Sequence, residues 1–364
     1  MKAALCRQFN APLEIEQVRC GKPGSDEVKI AIESVAVCHS DISFIKGYWG
    51  GSLPAIYGHE AAGRVIERGS TDSPFAAGDR VIVTLMRSCG SCFSCAAQAE
   101  ALCISQPASS PDASIQTDDG NSVWPAMHTG AFAEEVIVHE SQIVPLPDDI
   151  SMDLGALMGC GVITGYGAVK HVAQLSTSES VAIVGCGGVG ANAIQAARIM
   201  GASVIMALDS SQDKKDICMS LGATHFTQLV SDSNYADAKA VTDDIGYDVV
   251  LVAVGSAEVI SQALSLLKTG GRLIVMGLPP SGALSEIEMT NLASYGQTIT
   301  GTKMGMALIK EDIPEILDYY RNGQWELDAL ISKRFHFSQI NQALEAAQQP
   351  DTMRIIINMH QAEN

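Results

Sequence analysis

Four cysteines crowd into one short stretch, Cys89-Gly-Ser-Cys92-Phe-Ser-Cys95 followed by Cys103. Thiolates bind zinc tetrahedrally at about 2.3 Å, and a compact turn containing glycine can aim all four at one point. A closed four-sulfur shell leaves no position for substrate. The spacing therefore predicts a structural zinc that staples a surface lobe, about residues 87–104, whose apolar content is too small to fold alone. An iron–sulfur cluster is the alternative open to the same ligands. A second set is dispersed: Cys38-His39-Ser40-Asp41, Gly58-His59-Glu60 and Gly159-Cys160-Gly161. Two thiolates and one imidazole with a fourth position open are what a catalytic zinc needs, because that position must take water or a substrate oxygen. Taken singly, each of these residues reads more readily as core filler than as a ligand.

A third chemistry is cofactor binding. The apolar run Val181–Val184 leads into Gly185-Cys-Gly187-Gly188-Val189-Gly190, a helix-like stretch Ala191–Met200 follows, and Asp209 ends the next strand-like run. Strand, glycine turn, helix and acidic residue in that order form a dinucleotide fingerprint: the glycines let the backbone approach the pyrophosphate, and the carboxylate accepts from the adenosine ribose hydroxyls. A carboxylate there repels the extra phosphate of NADP, so NAD is expected. Cys186 inside the turn reads as apolar filler.

Two kinds of texture must position these groups. From about Glu14 to Val144 short strand-like runs such as Val28–Ile32 and Arg80–Val83 are broken by Gly, Pro and Asp, which reads as mainly β. From Val181 to about Met276, apolar strands at Val181–Val184, Ser203–Leu208, Asp248–Ala253 and Arg272–Met276 alternate with helix-length segments, the mark of a doubly wound parallel sheet. The tail carries a helix over Asp312–Tyr320 and a strand over Met353–Asn358. Ser105–Pro125, rich in Ser, Pro, Asp and Gly, reads as a long loop.

At 364 residues the chain calls for two domains, and 47% hydrophobic residues with 33 glycines suit an α/β protein. A net charge of −18 excludes nucleic acid as a main partner, since phosphates need a Lys/Arg footprint. Arg7, Gln8 and Asn10 interrupt the apolar start, so it does not read as a secretory signal, and no later apolar run is expected to span a membrane. Ten cysteines then suit metal binding in a cytoplasmic protein better than a disulfide framework.

With the four-cysteine lobe, the Cys38, His59 and Cys160 set and the Gly185 turn in this order, essentially the whole chain resembles the zinc-containing medium-chain alcohol dehydrogenases. The resemblance implies a GroES-like, mainly β catalytic domain from residues 1–160 and 302–364, a doubly wound Rossmann domain at 161–301, and an active site between them. It implies two zincs per subunit and reversible hydride transfer between NAD and an alcohol, or an aldehyde or ketone in reverse. Cys38, His59 and Cys160 match the catalytic zinc ligands, and Cys89, Cys92, Cys95 and Cys103 the structural ones. Glu60 matches an acidic neighbour of the zinc, Asp41 the carboxylate that orients the zinc-bound imidazole, and Ser40 the hydroxyl that starts the proton relay. Thr164 matches a nicotinamide contact, Lys214 a ribose contact beside Asp209, and Arg354 and His39 pyrophosphate contacts. Tyr48, Trp49 and Met127 sit where the family lines its substrate channel. The chain departs from the pattern at Ser43, where the animal enzymes end their relay in histidine. Homodimer or homotetramer assembly is implied as well.

Three other readings compete. A polyol dehydrogenase usually has Glu in place of Cys160. Glutathione-dependent formaldehyde oxidation needs a cationic site, for which Arg87 is the one candidate, although Arg87 reads first as a solvated surface charge. A non-catalytic NAD-binding structural protein would lack the zinc ligands retained here.

Overall fold

The computed structural model describes residues 1–360. Contacts divide the chain into two compact units, Met1–Cys160 with the segment from Leu330 onward, and Gly161–Ala329. The first boundary lies between Cys160 and Gly161. The second comes later than residue 302, because residues 304–326 pack into the second unit: a Cβ on Gly305 would lie 2.4 Å from the Thr164 carbonyl, and Trp325 bonds to Asn192.

The first unit is β-rich. Five short strands, Lys2–Cys6, Glu14–Cys20, Ile115–Thr117, Ser122–Pro125 and Ala55–Ile56, close a barrel. The stretch Ser105–Pro125 is thus no plain loop: it contributes an antiparallel hairpin whose strands are only 3 and 4 residues long, too short for a clear period in the sequence. A second sheet runs in the order Ile143–Pro145, Arg80–Val83, Glu60–Arg68, Glu27–Ala36, Arg354–Asn358, Ile331–His336, with Glu135–His139 also paired to Glu27–Ala36. Val28, Ile30 and Ile32 alternate inward along Glu27–Ala36 and meet Val65, Val136 and Val138 in the core. The strand Arg354–Asn358 pairs antiparallel with Glu27–Ala36, so the C-terminal tail does return to the first unit.

The second unit is a six-stranded sheet, every pair parallel, in the order His225–Gln228, Val204–Asp209, Ser180–Val184, Tyr247–Val252, Leu267–Val275, Thr298–Gly301. Counted within the unit that is 3-2-1-4-5-6, the doubly wound dinucleotide order. Ser180–Val184 is buried along its whole length, as a central parallel strand must be. Helices are observed at Gly188–Ile199 and Ile309–Arg321, each slightly longer than the sequence pattern suggests.

Met152–Val172 forms 21 residues of helix whose apolar composition alone would suffice to cross a membrane, contrary to the sequence expectation, but 89% of the tested window is buried inside the protein.

At the end of strand Glu135–His139, the His139 ring caps the turn Glu140–Gln142, its Nδ1 accepting from the Ser141 N–H at 3.1 Å. That bond requires a neutral ring. Burial and the Arg87 cation both push the His139 pKa below its ordinary value. A histidine whose folded pKa is depressed contributes stability that is present above the unfolded pKa and is lost as pH falls through the folded one. The melting temperature should therefore fall as pH drops below about 6.5, and His139→Asn, whose amide caps without titrating, should flatten that fall. Parallel melting curves across this range check it; equal slopes would remove His139 from the explanation.

Candidate active site and metal centres

The helix His39–Ile45 opens the dispersed site. Its N-cap is Cys38, whose N–H donates to Asp41 Oδ2 at 3.1 Å. Asp41 is wholly buried and its other oxygen accepts from the Gly58 N–H at 2.9 Å and pairs with His59 Nδ1 at 3.0 Å. Gly58 sits at φ +89 and a Cβ there would meet the Phe132 nitrogen at 2.7 Å, so only glycine can present the next residue, His59, in this way. With Nδ1 tied to Asp41, the opposite nitrogen, Nε2, is buried without a hydrogen-bond partner. It lies with the sulfurs of Cys38 and Cys160 and a Glu60 oxygen in one group whose ligand atoms are all within 4.8 Å of one another. Buried polar atoms are normally satisfied, and an imidazole nitrogen facing two thiols is the donor set of a zinc site.

Cys160 reaches the group from a π-helical turn, Met158–Val162. Its neighbour Gly159 lets that turn lie against the sheet: a Cβ there would stand 2.7 Å from Glu60 Cα and 2.8 Å from the Val83 carbonyl. The two thiols share a hydrogen bond. It holds the Cys38 pKa well below the usual thiol range and pushes that of Cys160 well above it. For His59, burial opposes protonation, but the Asp41 carboxylate and Cys38 outweigh it and the net shift is upward. Glu60 begins the strand Glu60–Arg68, and burial raises its pKa to about 8 against the opposing pull of Arg354, its ion-pair partner. Arg354, expected at the pyrophosphate, thus stands next to the metal cluster through Glu60. Ser40 and Ser43 are half-buried and His39 is exposed.

The four-sulfur lobe passes a metric test. Four sulfurs at about 2.3 Å from one metal are about 3.8 Å apart along tetrahedral edges. The separations are 3.9 Å for Cys89 to Cys95, 3.6 Å for Cys92 to Cys95 and 3.8 Å for Cys92 to Cys103. Backbone hydrogen bonds, first from Cys95, lower the Cys92 pKa to about 6, whereas burial raises that of Cys95 to about 12. Phe93, Leu102 and Ile104 are exposed, which leaves the lobe little core of its own.

In the second unit, Gly185 has φ +90, and a Cβ on Gly190 would fall 1.9 Å from the Gly185 carbonyl, while Gly187 faces open space. The turn therefore offers the bare backbone that a pyrophosphate needs, at the start of helix Gly188–Ile199. Asp209 Oδ2 accepts from the Cys186 N–H at 2.7 Å and from Lys214 Nζ at 3.2 Å, and Oδ1 accepts from the Ser211 N–H at 3.0 Å. Turn, carboxylate and lysine are thus one assembly. Thr164 lies in the same unit, its hydroxyl 3.9 Å from the Met304 sulfur.

Chain segments of this arrangement match two family models, one for the alcohol dehydrogenase GroES-like domain over residues 24–148 and one for zinc-binding dehydrogenase over residues 188–322. A relative named alcohol dehydrogenase B from Mycobacterium tuberculosis is 33% identical over 353 residues, covering 93% of each chain. The chain belongs to the zinc-containing medium-chain alcohol dehydrogenases. It is also 29% identical to S-(hydroxymethyl)glutathione dehydrogenase of Saccharomyces cerevisiae, over 98% of this chain and 95% of that one. Among solved structures, benzyl alcohol dehydrogenase from Acinetobacter calcoaceticus is similar with a TM-score of 0.90 at 27% identity, covering 99% of both chains.

As a zinc alcohol dehydrogenase, the chain uses zinc and NAD, and both residue sets fit them. Two features lay beyond the sequence reading. Arg87 is 1% exposed, not a surface charge and not open to an acidic substrate: its guanidinium pairs with Glu27 at 2.8 Å and donates to Ser109 at 2.7 Å, anchoring the chain on either side of the zinc lobe. Phe44, unremarked in the sequence, packs edge-on against Trp49 with ring centres 4.9 Å apart and stacks on Tyr57 at 5.7 Å. Its signal was available, since Phe44 is four residues after Ser40 and so shares its helix face. Tyr48 is exposed, and Met127 is half-buried at φ +55.

Because Asp41 alone fixes which ring nitrogen of His59 faces the sulfurs, Asp41→Asn should lower zinc affinity about 10- to 100-fold, the usual effect of losing such a partner. Competition with a chelator measures it; unchanged affinity would mean the ring needs no orienter.

Proposed function

We propose that this alcohol dehydrogenase oxidises primary alcohols carrying an aromatic or other flat apolar group, with NAD as acceptor, as a homodimer or homotetramer in the cytoplasm. One observation carries the substrate class: the helix that begins at zinc ligand Cys38 turns Ser40, Ser43 and Phe44 to its half-buried face, and Phe44 is backed by Trp49 and by Trp124 at 6.3 Å. In this reading Tyr48, Trp49 and Met127 line the same substrate channel. The likeness to a benzyl alcohol dehydrogenase supports it.

Bound at Cys38, His59 and Cys160, zinc supplies a Lewis acid that lowers the pKa of an alcohol, and NAD supplies the hydride acceptor. The chain's own residues do the rest. Asp41 holds the His59 ring so that Nε2 stays available, and Arg354 pairs with Glu60 beside it. Ser40 Oγ accepts the substrate's hydroxyl proton; with Ser43 where a relay histidine could stand, the proton leaves from Ser40 to water. Asp209 and Lys214 hold the adenosine ribose, and the Asp209 charge disfavours NADP. Thr164 completes the cofactor contacts within the second unit, while Arg354 is committed to Glu60.

Ten cysteines without a disulfide suit a reducing compartment. The edge strand Thr298–Gly301 pairs on one side only among the described residues, and Leu278, Leu284, Met289 and Tyr295 nearby in sequence are exposed. An unpaired edge with apolar neighbours is a natural seat for a second copy.

A substrate panel with NAD and NADP tests the proposal. The value of kcat/KM for benzyl alcohol should exceed that for ethanol by about tenfold or more, the scale set by one apolar pocket. Activity that needs formaldehyde with glutathione would overturn it, although the burial of Arg87 argues against that substrate. Cys160 in the ligand set argues likewise against a polyol enzyme, and the zinc ligands against a purely structural role.

A further inference from the structure

We infer that Asn192 is a positioning residue for NAD, clamping the glycine turn through the Gly188 carbonyl as part of a buried polar network with Gln195 and Trp325. The inference rests on the dinucleotide reading of the second unit.

Helix Gly188–Ile199 is apolar where it is buried, through Ala191, Ala193, Ile194, Ala196 and Ala197, except at Asn192 and Gln195. Both are essentially without solvent exposure, at 1% and 0%. Asparagine is a poor residue for a helix interior, because its side chain competes for the backbone, so its presence in a buried turn of helix calls for a function. Both of its side-chain polar atoms are hydrogen-bonded. Nδ2 donates to the Gly188 carbonyl at 2.6 Å, and Oδ1 accepts from Trp325 Nε1 at 3.2 Å and from Gln195 Nε2 at 3.3 Å. Gln195 is itself held by Glu326, accepting from its N–H at 2.7 Å and donating to its carbonyl at 3.0 Å. The network thus ties the first residue of the helix to the strap at residues 325–326.

Gly188 needs such a tie. Four of the six residues Gly185–Gly190 are glycines, whose backbone has the most freedom to lose on binding a ligand. At Gly187 not even a Cβ would find a neighbour within 4 Å, so side-chain packing cannot set the peptide planes there. Fixing the Gly188 carbonyl fixes the plane that also carries the Val189 N–H, one of the amides that a pyrophosphate meets at the helix start. The same residue braces the neighbouring helix Ile163–Gly167, because a Cβ on Gly165 would lie 2.9 Å from Asn192 Cβ, and Trp325 packs edge-on to Tyr166 at 5.7 Å.

Calorimetric binding to the zinc-loaded protein separates a clamp from general packing. Asn192→Ala should bind ADP-ribose about tenfold more weakly, the scale of one buried hydrogen bond, while adenosine, which lacks the pyrophosphate, changes by less than about twofold. Asn192→Ser should recover most of the loss, since a helical serine hydroxyl can donate to the carbonyl four residues earlier. Trp325→Phe keeps the Gly188 bond and removes one support of Asn192, so it should cost about threefold, and it stands in if the alanine variant does not fold. Equal weakening of ADP-ribose and adenosine, no weakening, or no recovery with serine would overturn the inference. A wild-type protein that bound neither ligand would remove the NAD reading and the inference together.

Discussion

Replacing Cys160 by Ser should reduce turnover about a thousandfold or more, while the protein stays folded and binds NADH normally. A Lewis-acid metal contributes several kcal/mol to the transition state, and about 4 kcal/mol corresponds to a thousandfold. A serine hydroxyl does not ionise as a thiol does, so the set Cys38, His59 and Cys160 would lose one anionic ligand. The glycine turn Gly185–Gly190 and Asp209 are untouched by the change. Steady-state rates, NADH titration and metal content of the same preparation decide the matter: full turnover with only the structural zinc left would sink the catalytic assignment. Joint loss of turnover and NADH binding would point instead to misfolding around the tightly packed Gly159.

Cys95→Ala should act on stability rather than chemistry. Structural zinc sites bind with about 10–16 kcal/mol in isolated peptides, and their binding energy is folding energy. Here part of the lobe is anchored independently by Arg87, whose pairing with Glu27 is buried, so a smaller loss is expected. A loss of about 4 kcal/mol would lower the melting temperature by roughly 10 °C. Metal content should drop from two zincs to one. Residual turnover at low temperature should survive, because Cys38, His59 and Cys160 keep their own supports in Asp41, Gly58 and Gly159. An unchanged melting temperature after loss of one zinc would show that the lobe does not need its staple.

The two variants differ because the two sites stand on different supports. The lobe turns its large apolar residues, Phe93, Leu102 and Ile104, outward and depends on metal for its interior. The dispersed cluster is set in the core of the first unit, with Asp41, His59 and Glu60 all fully buried. Burial makes the second site costly to disturb and also gives it its chemistry, since the orphaned His59 nitrogen has no water to turn to.

Local spacing was enough for the features whose parts are neighbours in the chain. Cys89 to Cys103 lie on one loop, so sulfur positions follow from the turn between them. The strand, glycine turn, helix and Asp209 are likewise contiguous, and the parallel sheet order confirms the unit they open. Sequence reading failed where partners come from afar. Arg87 could not be seen as buried without Glu27, which pairs with it from the start of strand Glu27–Ala36, and Ser105–Pro125 could not be seen as a hairpin because its strands are too short to show a period. The placement of residues 304–326 in the second unit depends on Gly305 and Trp325 meeting Thr164 and Asn192.

By itself, then, the sequence determined the structural zinc lobe, the glycine turn with its acidic partner, and the alternation that makes a doubly wound sheet, because short-range stereochemistry governs each. Only the tertiary structure decided that Cys38, His59 and Cys160 converge, that Asp41 chooses which nitrogen of His59 faces the sulfurs, and that Asn192 is spent on the Gly188 carbonyl. Those are matters of which distant groups are buried together, and burial is a property of the packed chain rather than of any one segment of it.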